Sequence, residues 1–399
     1  MKTKFPGYFQ LSQDEMNNLW DKAIIALDAN ILLNLYRYSD ETRKEFLIIL
    51  KHLKSRLWIP HQAVQEFLDN RLIVINQQEK TYIEAKTKLL KIEEEFKDTR
   101  KHPFIENKLL NNFTILNKEI CDQLEERRKL YSEKVTDDDI LIDISKLLTN
   151  KIGEEFHQEE IDKLCKEGEE RYSKKIPPGY KDSGKNNEEK NIKQYGDFVV
   201  WKQILSKSKE SEKDVIFITD DRKEDWWLIF NGKTISPRPE LVKEFKEFTS
   251  HTIYMYQSDR FYEYAMKYSN KSVNEKTFNE ISELIKSDEK NQRDHRSQSW
   301  EKARLAKRID FIKQEKKHLE TDYSNLLEKQ NNLINRMNEI QKNSDSTLSD
   351  NYANYFNLIK QELISTSEGI KNIRNKLEKL EAKEIMMEYN ISNNQLDFL

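Results

Sequence analysis

Carboxylates close the most apolar short runs of this chain, and that placement is its first chemical signal. Asp28 follows Ile24-Ile25-Ala26-Leu27, and Asp220-Asp221 follow Val215-Ile216-Phe217-Ile218-Thr219. Asp197 opens the segment Phe198-Val199-Val200-Trp201 that leads towards the second run, and Glu66 lies in the stretch His61–Val74. β-branched runs of this length read as buried parallel strands. In open α/β sheets ligands bind outside the carboxyl ends of the strands. A carboxylate there needs a metal, a cation or hydrogen-bond donors to compensate it; for Asp28 the plainer alternative is a cap on the following helix. Several carboxylates in one pocket repel one another unless divalent cations offset the charge. The donors are all oxygen, with no His or Cys cluster, which selects Mg²⁺ or Mn²⁺ over zinc. Such a pocket suits in-line hydrolysis of a phosphodiester, with two ions roughly 3.5–4 Å apart offsetting charge on the attacking and leaving oxygens.

The elements that must position these acids follow from the pattern. Ser12 with Asp14 and Glu15 signals a helix start, and Leu19 and Trp20 anchor that helix on a sheet. After the first strand, Phe46, Leu47, Leu50 and Leu53 share a helix face, and Arg56–Pro60 reads as a second short strand. His61–Val74 is helical, with His61 read as its cap, so the chain opens as strand, helix, strand, helix. Residues 76–175 carry few Gly and Pro and have apolar residues at helical spacing, which predicts a helical insertion. An antiparallel hairpin with a short cross-helix is expected there, broken at His102-Pro103 and capped again at Thr136-Asp137-Asp138. Pro177–Lys185 is a sharp loop. Asp197 then begins a helix, Asp214–Asp221 a strand, Trp226-Trp227-Leu228 a short helix or turn, and Thr252–Tyr256 a last strand.

Beyond residue 273 no strand signal remains. Ile312, Leu319, Leu326, Leu333 and Ile340 recur every seven residues, and after a polar break at 343–350 a second seam runs from Ile359 to Leu380. Two such helices joined by a short turn form an antiparallel coiled-coil hairpin. The same period is compatible with a homo-oligomer or a partner protein. Basic residues outnumber acidic ones between Lys286 and Lys317, with Trp300 and Phe311 among them, a pattern for phosphate contact or for a solvated face.

The bulk numbers exclude several classes. Charged residues make up 35% of 399, with 8 Gly and 7 Pro, and mean hydropathy is −0.90, a profile of long solvated helices. A net charge of −3 gives no global basic field. Cys121 and Cys165 form neither a metal-ligand spacing nor a disulfide framework, as expected in a reducing cytoplasm. No stretch reaches membrane-spanning length and no apolar leader opens the chain, so a cytoplasmic protein without membrane contact is expected.

In its motifs the chain resembles the PIN-like nuclease domains. The resemblance is carried by Asp28-Ala29-Asn30-Ile31-Leu32-Leu33, by Trp58-Ile59-Pro60-His61 with Glu66-Phe67, by Tyr195-Gly196-Asp197, and by Thr219-Asp220-Asp221 with Lys223-Glu224-Asp225-Trp226-Trp227. It spans roughly 1–268, leaving 273–399 as the hairpin, and implies a three-layer α/β/α core around a central parallel sheet. It implies that Asp28, Glu66, Asp197 and Asp221 are catalytic and hold the metal, because the last acid of such domains stands two residues after the Thr. Asp220 is then the alternative ligand, an orienting group, or a turn cap. Asn30 and Thr219 would support the carboxylates or the attacking water. Asp182, Lys185 and Arg71 lie in family-like stretches and are candidates for substrate contact, the two cations on the scissile phosphate; Arg71 could equally pair with a buried acid. Tyr36, Tyr38, Trp226 and Trp227 could stack bases but at these spacings read as core.

The resemblance implies a Mg²⁺- or Mn²⁺-dependent endonuclease acting on nucleic acid, with RNA favoured over DNA and a bacterial toxin or anti-phage effector as the setting. A structure-selective DNA nuclease is the neighbouring reading. A scaffold with a PIN-like core that no longer cleaves is the alternative of another class, supported by the long heptads.

Overall fold

The computed structural model describes residues 1–2, 4–98, 100, 105–182, 192–342 and 350–392, the side chains of 192–193, 289–301, 350–353 and 391–392 aside. Two compact units divide the chain, Met1–Ser287 and Asp288–Leu399.

The first unit begins with α1 (Gln13–Lys22), whose Ser12 and Glu15 form a capping box. Then come β1 (Ile24–Leu27), α2 (Ala29–Asn34), α3 (Asp40–His52), β2 (Leu57–Trp58) and α4 (His61–Lys97). Next are α5 (Asn107–Glu133), α6 (Asp139–Leu148), α7 (Gln158–Ser173) and α8 (Gly196–Ser211). The unit closes with β3 (Val215–Ile218), β4 (Trp227–Phe230), β5 (Lys233–Pro237), α9 (Pro239–Thr249), β6 (Ile253–Tyr256) and α10 (Ser258–Tyr268).

Four strands form one parallel sheet in the order β2-β1-β3-β6. Every residue of β1 and β3 is buried. Both faces of the sheet are therefore covered, which is why these strands are continuously apolar rather than alternating. From β1 the chain steps outward to β2 on one side and later to β3 on the other, which makes the carboxyl end of the β1/β3 pair a topological switch point. Leu27 pairs with Ile218, and the Asp28 amide donates to the Ile218 carbonyl at 3.0 Å. Asp28 and Thr219 thus leave the sheet side by side.

The insertion is the expected antiparallel hairpin with a short cross-helix, but α4 runs into it unbroken from His61 to Lys97. Lys86–Glu125 at 2.9 Å and Arg128–Glu79 at 2.7 Å tie α4 to α5. The expected break at His102-Pro103 lies outside the described residues. Asp138 caps α6 by accepting from the Leu141 amide at 2.9 Å. No side chain caps α4, and His61 is its first helical residue.

One expectation needs correction. Trp226-Trp227-Leu228 is expected as a short helix or turn; Trp226 does close a turn on Lys223, but Trp227–Phe230 is a strand that pairs antiparallel with Lys233–Pro237. The intervening Asn231 and Gly232 both adopt positive φ, 49° and 73°, the two-residue turn whose twist suits a hairpin.

The last long helices are α11 (Glu275–Lys342) and α12 (Asp350–Ser392). Ile281 and Ile285 of α11 belong to the core of the first unit. Within the second unit Lys316–Glu384 at 2.8 Å, Lys329–Glu362 at 2.7 Å and Gln330–Ser367 at 2.9 Å pair α11 with α12 in antiparallel order. Ile312, Leu333 and Ile359 of the heptad seams are buried. The polar break at 343–349 and the Trp300 side chain lie outside the described residues.

Candidate functional site

At the switch point Asp28 occupies the N-cap of α2. Its Oδ1 accepts from the Ala29 amide at 2.7 Å, so the capping role is real for one oxygen. Its Oδ2 accepts from Asn30 Nδ2 at 2.7 Å and from Thr219 Oγ1 at 2.6 Å. Asn30 also accepts the Asp220 amide at 3.1 Å, and Thr219 Oγ1 accepts the Asp221 amide at 3.1 Å. Asn30 and Thr219 therefore lace the end of β1 to the turn after β3.

The other acids reach this edge from helices. Glu66 stands on α4, where Gln62 Nε2 donates to its Oε1 at 3.0 Å. Gly196 makes that approach possible, since a Cβ there would lie 2.3 Å from Glu66 Oε1. Asp197 sits in the first turn of α8, where the helix dipole favours a negative charge. Trp226 Nε1 lies 3.4 Å from its Oδ2. Burial pushes the Asp28 carboxyl up to about 7, eased by the Thr219 hydroxyl and reinforced by the charges of Glu66 and Asp221. Burial also drives Asp197 well above the carboxylate range; Lys223 opposes the rise, and Asp221, Asp182 and Glu66 add to it. Asp28 and Asp197 thus each feel the charges of Glu66 and Asp221 at one edge.

Asp220 is placed differently from Asp221. Both of its oxygens are taken, Oδ1 by the Ser258 amide at 2.8 Å and Oδ2 by Ser258 Oγ and Asn34 Nδ2, each at 2.8 Å. It ties the end of β3 to the start of α10. Asp221 instead directs Oδ2 at Lys223 Nζ, 2.8 Å away. That ammonium also meets Asp182 at 2.8 Å and Asp197 at 3.4 Å.

Among the substrate candidates, Asp182 is engaged with Lys223, and Lys185 lies outside the described residues. Arg71 pairs with the buried Asp138, which also accepts from Tyr36 Oη at 2.8 Å. This anchors the start of α6 on α4 and on the turn after α2, and turns the guanidinium to structural use. Tyr36, Tyr38, Trp226 and Trp227 are buried, as core residues are. Phe311 on α11 is exposed.

Sequence reasoning passed over Lys223 and Asp225 as individuals. Asp225 is fully buried, and its Oδ2 accepts the Gly179 amide at 3.0 Å and the Lys181 amide at 3.1 Å. It fastens the Pro177–Asp182 loop beside the acids. From the other side Arg171 donates to the Pro177 carbonyl and pairs with Glu244 at 2.7 Å. The dense run Asp220-Asp221-Arg222-Lys223-Glu224-Asp225 directly after a buried strand was the available signal.

Among the described residues no group of three or more His, Cys, Asp or Glu side chains stands ready to close on a metal ion; Lys223 stands among three of the acids instead. The donors themselves fit a hard divalent cation. They are carboxylates only, two of them raised by burial and mutual repulsion, and the cation that relieves Asp197 is a single ammonium.

The family model for a PIN like domain matches residues 24–241, from the first residue of β1 into α9 and more than half of the chain. No curated protein and no solved structure matches the chain. Sheet topology, edge position of the acids and family match agree: the chain belongs to the PIN-like domains, a group within the nuclease superfamily that typically acts on nucleic acid with divalent metal ions.

Proposed function

We propose that the protein is a Mg²⁺- or Mn²⁺-dependent endonuclease that hydrolyses phosphodiester bonds, with RNA as its substrate. The observation that carries this reading is the gathering of carboxylates at the carboxyl edge of the sheet in a PIN-like domain: Thr219 joins Asp28 to the Asp221 amide, Glu66 lies against Gly196 beside Asp197, and Asp28 and Asp197 each feel the charges of Glu66 and Asp221. Those four carboxylates would hold the ions, and Asp220, saturated by Ser258 and Asn34, would serve the fold. Divalent cations, when bound, supply the positive charge that lets a phosphodiester approach these acids and that offsets charge on the attacking and leaving oxygens.

The chain's own groups do the positioning. Thr219 and Asn30 fix the Asp28 carboxylate in one rotamer, Gln62 holds Glu66, and the indole of Trp226 faces Asp197. A site whose carboxylates are held before substrate arrives has little reorganisation left to undergo during the reaction. RNA is preferred because many domains of this family cut RNA, and a toxin or anti-phage setting rests on the same analogy. The reading applies to the cytoplasm, with the coiled-coil hairpin of the second unit as the part that would meet a homo-oligomer or partner protein.

The test is incubation of the purified chain with Mn²⁺ and labelled single-stranded RNA, structured RNA, single-stranded DNA or duplex DNA, with Asp28→Asn in parallel. Cleavage of RNA by the wild type alone is the expected result. Cleavage confined to DNA would move the substrate class. Cutting by neither protein, without any Mn²⁺-dependent rise in melting temperature, would favour a scaffold.

A further inference from the structure

Lys223 is placed too deliberately for a surface lysine. Its side chain is only 14% exposed. Its backbone is fixed at both ends: the amide donates to Asp221 Oδ1 at 3.0 Å, and the carbonyl accepts the Trp226 and Trp227 amides at 3.1 and 3.2 Å. An ammonium carries three protons, and here three carboxylates receive it: Asp182 and Asp221 at 2.8 Å and Asp197 at 3.4 Å. Burying an ammonium is costly, and three carboxylates within ion-pair distance offset that cost. Two of these partners, Asp197 and Asp221, belong to the proposed metal-holding set. The third, Asp182, does not; it stands in the Pro177–Asp182 loop that Asp225 fastens down.

Accordingly, we propose that Lys223 is a tethered internal cation that competes with the divalent ion, holding Asp197 and Asp221 together in the metal-free chain and releasing them when metal binds. This rests on the metal-dependent reading given above and deepens it by naming what sets the affinity of the site. Asp182 is the mooring that keeps the displaced ammonium beside the site. The tethered ammonium already occupies the acids, whereas an incoming ion must shed water, expel the ammonium and tolerate its charge nearby, so the lysine raises the metal concentration at which the site fills.

The test is Mn²⁺ binding by titration calorimetry on the full-length wild type, Lys223→Met, Lys223→Gln and Lys223→Arg, with thermal melts in chelator. Removing the charge is expected to lower the melting temperature of the metal-free protein. It should also tighten Mn²⁺ binding on the order of tenfold, with Lys223→Arg close to wild type. Lys223→Gln keeps a hydrogen-bond donor towards the acids and covers the case in which Lys223→Met does not fold. Wild type that binds Mn²⁺ while the folded neutral variants bind it equally or more weakly overturns the competition and leaves the metal site standing. Absence of Mn²⁺ binding in every protein overturns the metal reading and this inference with it.

Discussion

The carboxyl edge of the sheet has two sides, and they treat acids in opposite ways. Towards β6, Asp220 is surrounded by neutral donors: the Ser258 amide, the Ser258 hydroxyl and the Asn34 amide nitrogen. Towards α8, Asp182, Asp197 and Asp221 gather around one ammonium. Neutral donors fixed by backbone satisfy a carboxylate permanently and make it part of the fold. A shared ammonium leaves more negative charge than it cancels, so that side stays open to another cation. Asp28 lies between the two, locked by Thr219 and Asn30 yet raised by burial and, less, by its acidic neighbours. Adjacent residues of one turn, Asp220 and Asp221, fall on opposite sides of this division.

The largest expected effect tests the open side. Asp197→Asn should lower the cleavage rate by about 10³-fold or more, the scale lost when a group acting in the transition state is removed. The fold should survive, because losing one of several repelling charges relieves a cost of burial. Single-turnover cleavage with a thermal melt of the same preparation reads both quantities. A variant that cleaves at the wild-type rate would remove Asp197 from the catalytic set.

On the saturated side the effect should appear as stability. Asp220→Ala strands the Ser258 amide and hydroxyl and the Asn34 amide, each partly or fully buried, at a cost of about 3 kcal/mol. Asp221→Ala should cost less, since it strands one backbone amide, that of Lys223, and leaves the ammonium two other carboxylate partners. Urea midpoints of the two variants give the comparison directly. Equal midpoints would erase the division drawn between the neighbours.

Much of this arrangement is legible in the sequence because strand ends are marked by composition. Ile24–Leu27 and Val215–Ile218 are apolar at every position, and only a strand covered on both faces reads so. Their acids therefore sit at one edge once the strands are known to be parallel. What stayed hidden depends on side-chain direction. Nothing in the letters Asp220-Asp221 tells which carboxylate meets Ser258, a residue some forty positions away, and nothing marks Lys223 apart from the other cations of its charged run. The β4–β5 hairpin is legible in Asn231-Gly232, a strong hairpin turn signal, whereas the tryptophan pair before it suggests a short helix or turn, which holds only as far as Trp226. The continuity of α4 was less accessible, because the composition shift near residue 76 resembles an element boundary although the helix crosses it.

A smaller effect separates position from charge. Gly196→Ala adds a Cβ at 2.3 Å from Glu66 Oε1, and the carboxylate, at the end of a flexible side chain, must move aside. No acid is lost. Activity should fall by about ten- to a hundredfold, the cost of misplacing a catalytic group by roughly 1 Å. Stability should stay within about 1 kcal/mol, as alanine suits a helix better than glycine. Unchanged cleavage would mean that Glu66 need not stand against Gly196.

The smallest effect concerns Asp225, an acid that sides with neither group. It is fully buried, and burial raises its carboxyl, while the Lys181 amide and the charge of Lys223 hold it down. Only Oδ2 has hydrogen-bond partners, the Gly179 and Lys181 amides; Oδ1 has none among the described residues. The structure therefore uses Asp225 as an acceptor at one atom and gains little from its charge. Asp225→Asn keeps a carbonyl oxygen for both amides and removes the buried charge, so its urea midpoint should lie within about 1 kcal/mol of wild type. Asp225→Ala removes the acceptor itself, strands two loop amides and should fall clearly below the Asn variant. If instead Asn and Ala are equally damaging, the negative charge of Asp225 is what matters, most simply as a further counter-charge to Lys223. The ammonium would then answer to four acids rather than three, and the open side of the edge would extend down to the base of the loop.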